Sequence, residues 1–574
     1  MNKIIIYLFA LLAFSSCGSK KQSSSATKEG KGGIYLGGSL RLNEEEYLKS
    51  LFPPNITEVT GQRIVNNVYE GLVKFNVGTL AIEPCLAEKW EILDNGKKFV
   101  FHLRKGVKFH DDPCFEGGKG REMTAKDVKF CFDLLCFNRP TDIQAFWIFK
   151  DLVVGANEYN NATGKNPNDN SGVSGIKVID DYTIEINLIR PFSVFIDRLA
   201  LPQTAIYAKE AYEEYGSEMR IKTVGTGPFK IKSVKDNEVV FLEKNPYYWE
   251  KDEFGNQIPY LDFIKVTFLK EKKTELAAFK KGDIDLVYRL PLEMKEEVVD
   301  NQNKLKPDYS TFQLQFKNSM TIQFYGFLHP GKIFNDKKVR QAFCYAIDRD
   351  KIATFTYKGS GVPAKYGVVP PGCGSYDATK VKGYTFDPAK AQALLADAGF
   401  PKGQGFPKVT LQINSGGGRN SQVAEAIKKM IEETLNIPID IITVPWAQHS
   451  ESIEAAKCDF WRLGWIADYP DPENFLNLFD SRHVPADIKT KTYINSFRYK
   501  NPEFDKWFQL ALETSDEKLR NEYYAKADQI VIDDAVVLPI TYDIDYRLLQ
   551  PNLMGCPQNA IEHRDFRRAY KKPM

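Results

Sequence analysis

Histidine is scarce in this 574-residue chain. Its six copies (His102, His110, His329, His449, His483 and His563) form no H-x-x-x-H pair and no H-E-x-x-H motif, the spacing that sets two imidazoles on one helix face for a metal. His110, Asp111, Asp112 and Cys114 sit close together, but no spaced partner completes a coordination shell, so no metal site is expected. Also missing are the G-x-x-x-x-G-K-[ST] loop that cradles phosphates and the G-x-S-x-G elbow that exposes a nucleophilic serine. The glycine-rich stretch NSGGGRNS (414–421) matches neither. Neither sign of charge dominates: the formal net charge is +2, falling to +1 if a leader carrying Lys3 is removed. The electrostatic footprint of a nucleic-acid binder is therefore missing. No run approaches the ~20 apolar residues that span a bilayer. These absences argue against an enzyme, a cofactor carrier and a nucleic-acid-binding protein.

What is present begins with MNKIIIYLFALLAFSSC. One lysine precedes the apolar run Ile4–Phe14, 11 residues long, which reads as a signal-peptide core and not as an anchor. The leader is expected to cover residues 1–16. Ser15, Ser16 and Cys17 resemble a bacterial lipobox, in which the cysteine is acylated, by palmitate or a similar chain, and becomes the mature N-terminus. The following GSKKQSSSATKEGKGG holds no aromatic or large aliphatic residue and cannot bury enough surface to order itself. Residues 17–32 are therefore expected to form a flexible tether off a membrane surface, outside the cytoplasm. Eight cysteines remain after Cys17. Their spacing is no compact disulfide framework, and buried free thiols are expected.

The length exceeds the roughly 250–300 residues at which a single core stops growing, so several domains are expected. Strand and helix patterns alternate, which argues for mixed α/β architecture. Thr124 is placed to cap a helix carrying Val128, Phe132 and Leu135 on one face. ATGKNPNDNSG (162–172) reads as a loop, and FKIKSVKDNEVVFLEKN as two strands around Lys235-Asp236-Asn237. Asp387 followed by Pro388 opens a helix that Gly399 closes. VTLQI, SQVAEAIKKMIEETL and IPIDIITV form a βαβ unit with a parallel sheet. CDFWRLGW is a further strand, and WRLGWIADYPDPENFLNLF (461–479) places Asp468 just past its end. A carboxylate among apolar residues is costly unless something positive pairs with it. An internal partner, solvent and an incoming cation are all open. Ligands bind outside the carboxyl ends of strands in open α/β sheets, which favours the cation.

Several segments resemble the extracellular solute-binding proteins of family 5, the peptide/nickel class that serves ABC importers. IVNNVYEGLVKF, LAEKWEILDNGKKFVFHLRKGVKFHDD, MTAKDVKFCFDLL, VGTGPFKI with NPYYW, VRQAFCYAIDRDKI, DPAKAQALLADAGF and GWIADYPDPENFL occur in family order. The resemblance runs from about residue 30 to the C-terminus. It implies a type II periplasmic-binding-protein fold of two hinged lobes with a small inserted domain. Lobe I would comprise 30–69, 209–320 and 543–574, the insertion 70–208, and lobe II 321–542. It further implies a lipid-anchored, monomeric receptor in the cell envelope that delivers peptides to an ABC permease without a cofactor and without catalysis. A metal chelate, oligosaccharide, opine or signalling peptide is the alternative ligand on the same scaffold. By the same resemblance, Asp468 would pair with the ligand ammonium, and Arg462 with its carboxylate or in a structural salt bridge. Trp446 and Trp465 would line side-chain pockets or belong to the core, where Trp461 is expected. Thr57, Glu58 and Val59 from one lobe, with Leu463, Gly464, Trp465 and Ile466 from the other, would offer backbone edges to an extended peptide.

Overall fold

A computed structural model describes residues 27–415 and 417–573. The leader, Cys17 and the first part of the tether lie outside the described residues. The described part of the tether, residues 27–32, is more ordered than its composition suggests. Lys28–Glu29 already pairs with Tyr35–Leu36, and Asn256 accepts from the Lys31 amide and donates to its carbonyl. A partner more than 200 residues away supplies the order that local composition does not.

Three sheets carry the chain. The first runs in the order Phe229–Lys235, Val239–Lys244, Phe263–Thr267, Ser39–Asn43. Its last pair is parallel, and a parallel pair needs a long crossover. Here that crossover is large enough to hold a sheet of its own, with Ala87–Leu93, Lys98–Leu103, Thr183–Asn187 and Ile176–Asp180 in antiparallel order. The helix Ala125–Leu135 packs beside that sheet. It opens with a capping box in which Asp127 accepts from the Thr124 amide at 2.8 Å, and Val128, Phe132 and Leu135 are buried. The expected loop at 162–172 starts late, because the helix Ala156–Lys165 runs into it. Ala156, Tyr159 and Thr163 form a short buried stripe, and the Thr163 hydroxyl bonds the Tyr159 and Asn160 carbonyls. Those contacts outweigh the turn-forming Asn and Gly.

The third sheet joins the lobes. Two long antiparallel strands, Gln313–Phe327 and Val537–Leu549, run side by side, with a register shift between Asn318 and Ile322. Their outer halves lie in the second lobe, where Gln313–Phe327 pairs with Phe460–Ile466. Val409–Asn414, the helix Gly417–Leu435 and Ile439–Val444 form the βαβ unit, with the strands parallel. In the helix Pro388–Asp397, Asp387 accepts from the Lys390 amide. All eight described cysteines are free, and all but Cys114 are buried.

In the first lobe a buried ion network ties the chain's start to its end. Arg63 bonds Glu44 and Glu562, and Arg564 bonds Glu44. In the second lobe Phe460 is fully buried and stacks on Phe327 at 5.2 Å, with Phe334 at 5.6 Å and Phe343 at 5.9 Å. This aromatic knot fixes the start of the strand that leads to Asp468. Removing a large buried ring leaves a cavity, so Phe460→Ala should destabilise the protein by about 3–5 kcal/mol. A lower urea midpoint checks this.

Candidate functional site

The strand Phe460–Ile466 sorts its side chains by alternation. Trp461 points into the core, where it is fully buried and stacks on Phe497 at 5.8 Å. Arg462 and Gly464 take the other face, and Asp468 follows beyond the strand end. At Gly464 an added Cβ would sit 2.6 Å from Gln323 Oε1 and 3.2 Å from Arg462 Nη2, so a side chain there would push both polar tips aside.

One edge of this strand is covered and the other is not. All seven residues pair with Gln313–Phe327, whereas the strand on the other side reaches only Phe460 and Trp461. The Arg462 carbonyl meets His449 Nε2 at 2.8 Å. From Leu463 to Ile466 that edge has no strand partner among the described residues. The expected second edge differs. Glu58 is extended (φ −125°, ψ 153°), but Val59 already opens the helix Val59–Val65, and Thr57 is in no strand. Glu58 acts as the residue before a helix, and its Oε1 accepts from the Lys49 amide.

Arg462 in the strand and Asp468 just past it have amide neighbours. Arg462 bonds Asn414 Oδ1 at 3.1 Å and Gln323 Oε1, and no carboxylate lies within ion-pair distance of it among the described residues. Burial, then repulsion from Arg419, lowers its pKa. The expected structural salt bridge is therefore not formed. The Asp468 amide donates to Asn474 Oδ1 at 3.2 Å, and the Asn474 and Gln62 side chains lie near its carboxyl and favour its charged form. No Lys, Arg or His pairs with it among the described residues. Burial is the main cause that pushes the Asp468 carboxyl up to about 6, and Glu473 adds repulsion. Gln62 lies on the helix Val59–Val65 of the first lobe, so this carboxyl sits where the lobes meet.

Aromatics flank both charged residues. The Trp465 indole donates to Asn474 Oδ1 at 2.9 Å, and its ring lies 5.9 Å from that of Tyr493. Trp446 is 47% exposed at the start of its helix and lies 5.9 Å from the His449 ring. Two further ion pairs join distant segments. Arg198, beside the inserted sheet, bonds Glu473 at 3.0 Å, and Lys358 bonds Glu296 at 2.7 Å. Gln62, Gln323, Asn414, Asn474 and Tyr493 were not predicted. They come from distant segments, and amide side chains leave no periodic signal in a sequence. The four residues of the metal-like cluster are engaged elsewhere: His110 meets the Gly227 carbonyl at 2.9 Å, Asp111 binds Lys119, and Asp112 accepts from Tyr215 and the Cys114 amide.

The model of the bacterial extracellular solute-binding proteins, family 5, matches residues 81–484. The chain is 28% identical over 495 residues to the dipeptide-binding protein of Escherichia coli, covering 85% of this chain and 86% of that one. It is 26% identical over 581 residues to the oligopeptide-binding protein OppA of Bacillus subtilis, covering 99% of both. Among solved structures, it is similar to the periplasmic binding protein DppA of Helicobacter pylori in complex with the peptide STSA. The TM-score is 0.77 at 26% identity, covering 94% of this chain and 99% of that one.

The raised Asp468 pKa has a stability signature. Between its ordinary value of 3.8 and about 6, the unfolded chain has released this proton and the folded chain has not. Stability therefore falls as pH rises through that window, and the penalty is constant above it. Asp468→Asn should melt above the parent at pH 7, with the gap closing below pH 4. Melting temperatures measured across that range check this.

Proposed function

The chain belongs to the bacterial extracellular solute-binding proteins of family 5, and we propose that it captures short peptides between its lobes and presents them to an ABC-type permease. Proteins of this family bind solutes and are not enzymes. The observation that carries the reading is a pair of unneutralised opposite charges on one bare-edged strand. Arg462 lacks a carboxylate and Asp468 lacks a cation, and Leu463–Ile466 lies between them with its edge unpaired. Five residues separate the two, and the four that are strand, Leu463–Ile466, span about 13 Å at ~3.3 Å per residue.

A peptide in extended form supplies what this strand lacks. Its backbone adds to the free edge, which gives affinity with little regard to side chains. Its ammonium replaces the amide donors at Asp468 with a charge-assisted bond, about twice as strong as a neutral one. Its carboxylate meets the Arg462 fork, whose planar geometry suits it. Trp446 and Trp465 offer broad apolar surfaces to side chains. Closure of the lobes excludes water from the cleft.

The division into lobe I (30–69, 209–320, 543–574), an inserted domain (70–208) and lobe II (321–542) is part of this reading and is supported by the three sheets. A monomeric receptor held outside the cytoplasm by acylated Cys17, with its tether as a leash, is also part of this reading. No helix of the described residues is long and apolar enough to cross a membrane.

Calorimetry on the purified protein tests the peptide reading. Free-amino peptides should bind, with affinity rising as pH increases through about 6, where Asp468 ionises. Acetylating the peptide N-terminus, or making Asp468→Ala, should weaken binding by about 2–5 kcal/mol. Equal affinity for free and acetylated peptides would remove Asp468 from the ammonium site.

A further inference from the structure

From Asp468 the chain runs on through YPDPENF into the four-residue helix Glu473–Leu476. So short a helix has no stability of its own, and its surroundings fix it. Phe475 and Leu476 bury the far end. Polar contacts hold the near end. The Glu473 amide donates to Asp471 Oδ1 at 2.9 Å, and the Asn474 amide to the Asp471 carbonyl at 3.1 Å. Glu473 is 1% exposed, and both its carboxylate oxygens are engaged. Oε1 accepts from Arg198 Nη2 at 3.0 Å, and Oε2 accepts from the Tyr469 hydroxyl.

Arg198 comes from a segment 275 positions earlier and is itself held firmly. It is buried, its Nη1 donates to the Ile148 carbonyl at 3.3 Å, and its guanidinium lies 4.5 Å from the centre of the Phe192 ring. Acids crowd this corner, where Glu473 repels Asp197, Asp468 and Asp471. Among the described residues, Arg198 is the one cation within ion-pair distance of Glu473, while Arg520 lies 3.8 Å from Asp471. Removing one partner of such a pair leaves an uncompensated buried charge, so without Arg198 the Glu473 carboxylate would be driven out of its place. The next residue is Asn474. Its Oδ1 accepts from the Trp465 indole at 2.9 Å and from the Asp468 amide at 3.2 Å. Consecutive residues of one helical turn move together, so the Arg198 guanidinium reaches both of these through two side chains.

We propose that Arg198 is a positioning residue of the peptide site: by clamping Glu473 it sets Asn474, and through Asn474 the places of Asp468 and Trp465. This rests on the peptide reading above and adds to it a residue that touches no ligand. It also makes the segment that follows the inserted sheet part of the recognition apparatus. Were the ion pair mere cohesion between distant segments, its loss would lower stability and leave recognition of the ligand ammonium unchanged.

The test uses the full mature chain and calorimetry with di-, tri- and tetra-alanine, each with a free and an acetylated N-terminus. Measurements at about pH 8, well above the value of about 6 for Asp468, keep that carboxylate ionised in every variant. Arg198→Met should weaken binding of the best free-amino peptide about tenfold, and of its acetylated form by less than about threefold. Asn474→Ala should do the same. The combined variant should lose no more than the stronger single one, as residues acting through each other do. Arg198→Lys should recover most of the loss. Arg198→Met/Glu473→Met, apolar on both sides, leaves no buried charge behind, and it should show the same loss even if Arg198→Met alone fails to fold. Losses that add in the combined variant, equal losses for free and acetylated peptides, or parent-like binding by the apolar pair would overturn the inference and leave the peptide reading intact. Failure of every free-amino peptide to bind the parent protein would overturn both.

Discussion

The arrangement depends on a carboxylate kept between two lobes with amide donors and no cation. Asp468 has the amide side chains of Asn474 and Gln62 beside its carboxyl. Neutral donors stabilise a carboxylate only in part, and burial holds its pKa well above the ordinary value. That incomplete solution leaves affinity available for a positively charged guest. A lysine in place of Gln62 would stabilise the closed form more strongly and would occupy the site permanently.

Everything around Asp468 makes its position rigid. The Phe460 knot anchors the strand at one end, seven register pairs hold it along one side, and the Trp461 ring fixes its inward face. The opposite edge is left free because the neighbouring strand contacts only two residues before diverging. Gly464 keeps the exposed face flat where Gln323 and Arg462 crowd in. Recognition therefore rests on backbone geometry, which tolerates many side chains, and on two charged residues that set its ends.

Much of this was legible in the chain. The βαβ unit showed in its periodicity, the Thr124 and Asp387 caps in their spacing, and Asp468 in being an acid at a strand end among aromatics. What stayed hidden was set at long range. Lys28–Glu29 is ordered by Asn256, residues 162–165 stay helical through a three-residue buried stripe, and Val59 is helical where an edge strand was expected. The amide partners of Arg462 and Asp468 come from four separate segments, and no local pattern brings them together.

The ion network of the first lobe has a consequence for biogenesis. Glu44 meets Arg564 across 520 positions of chain, and Arg63 reaches Glu562 across nearly as many. Contacts this remote in sequence are slow to form. A chain emerging from its N-terminus can complete the inserted sheet early, but the first lobe must wait for its last thirty or so residues. The half of the receptor that appears first is thus the half that matures last.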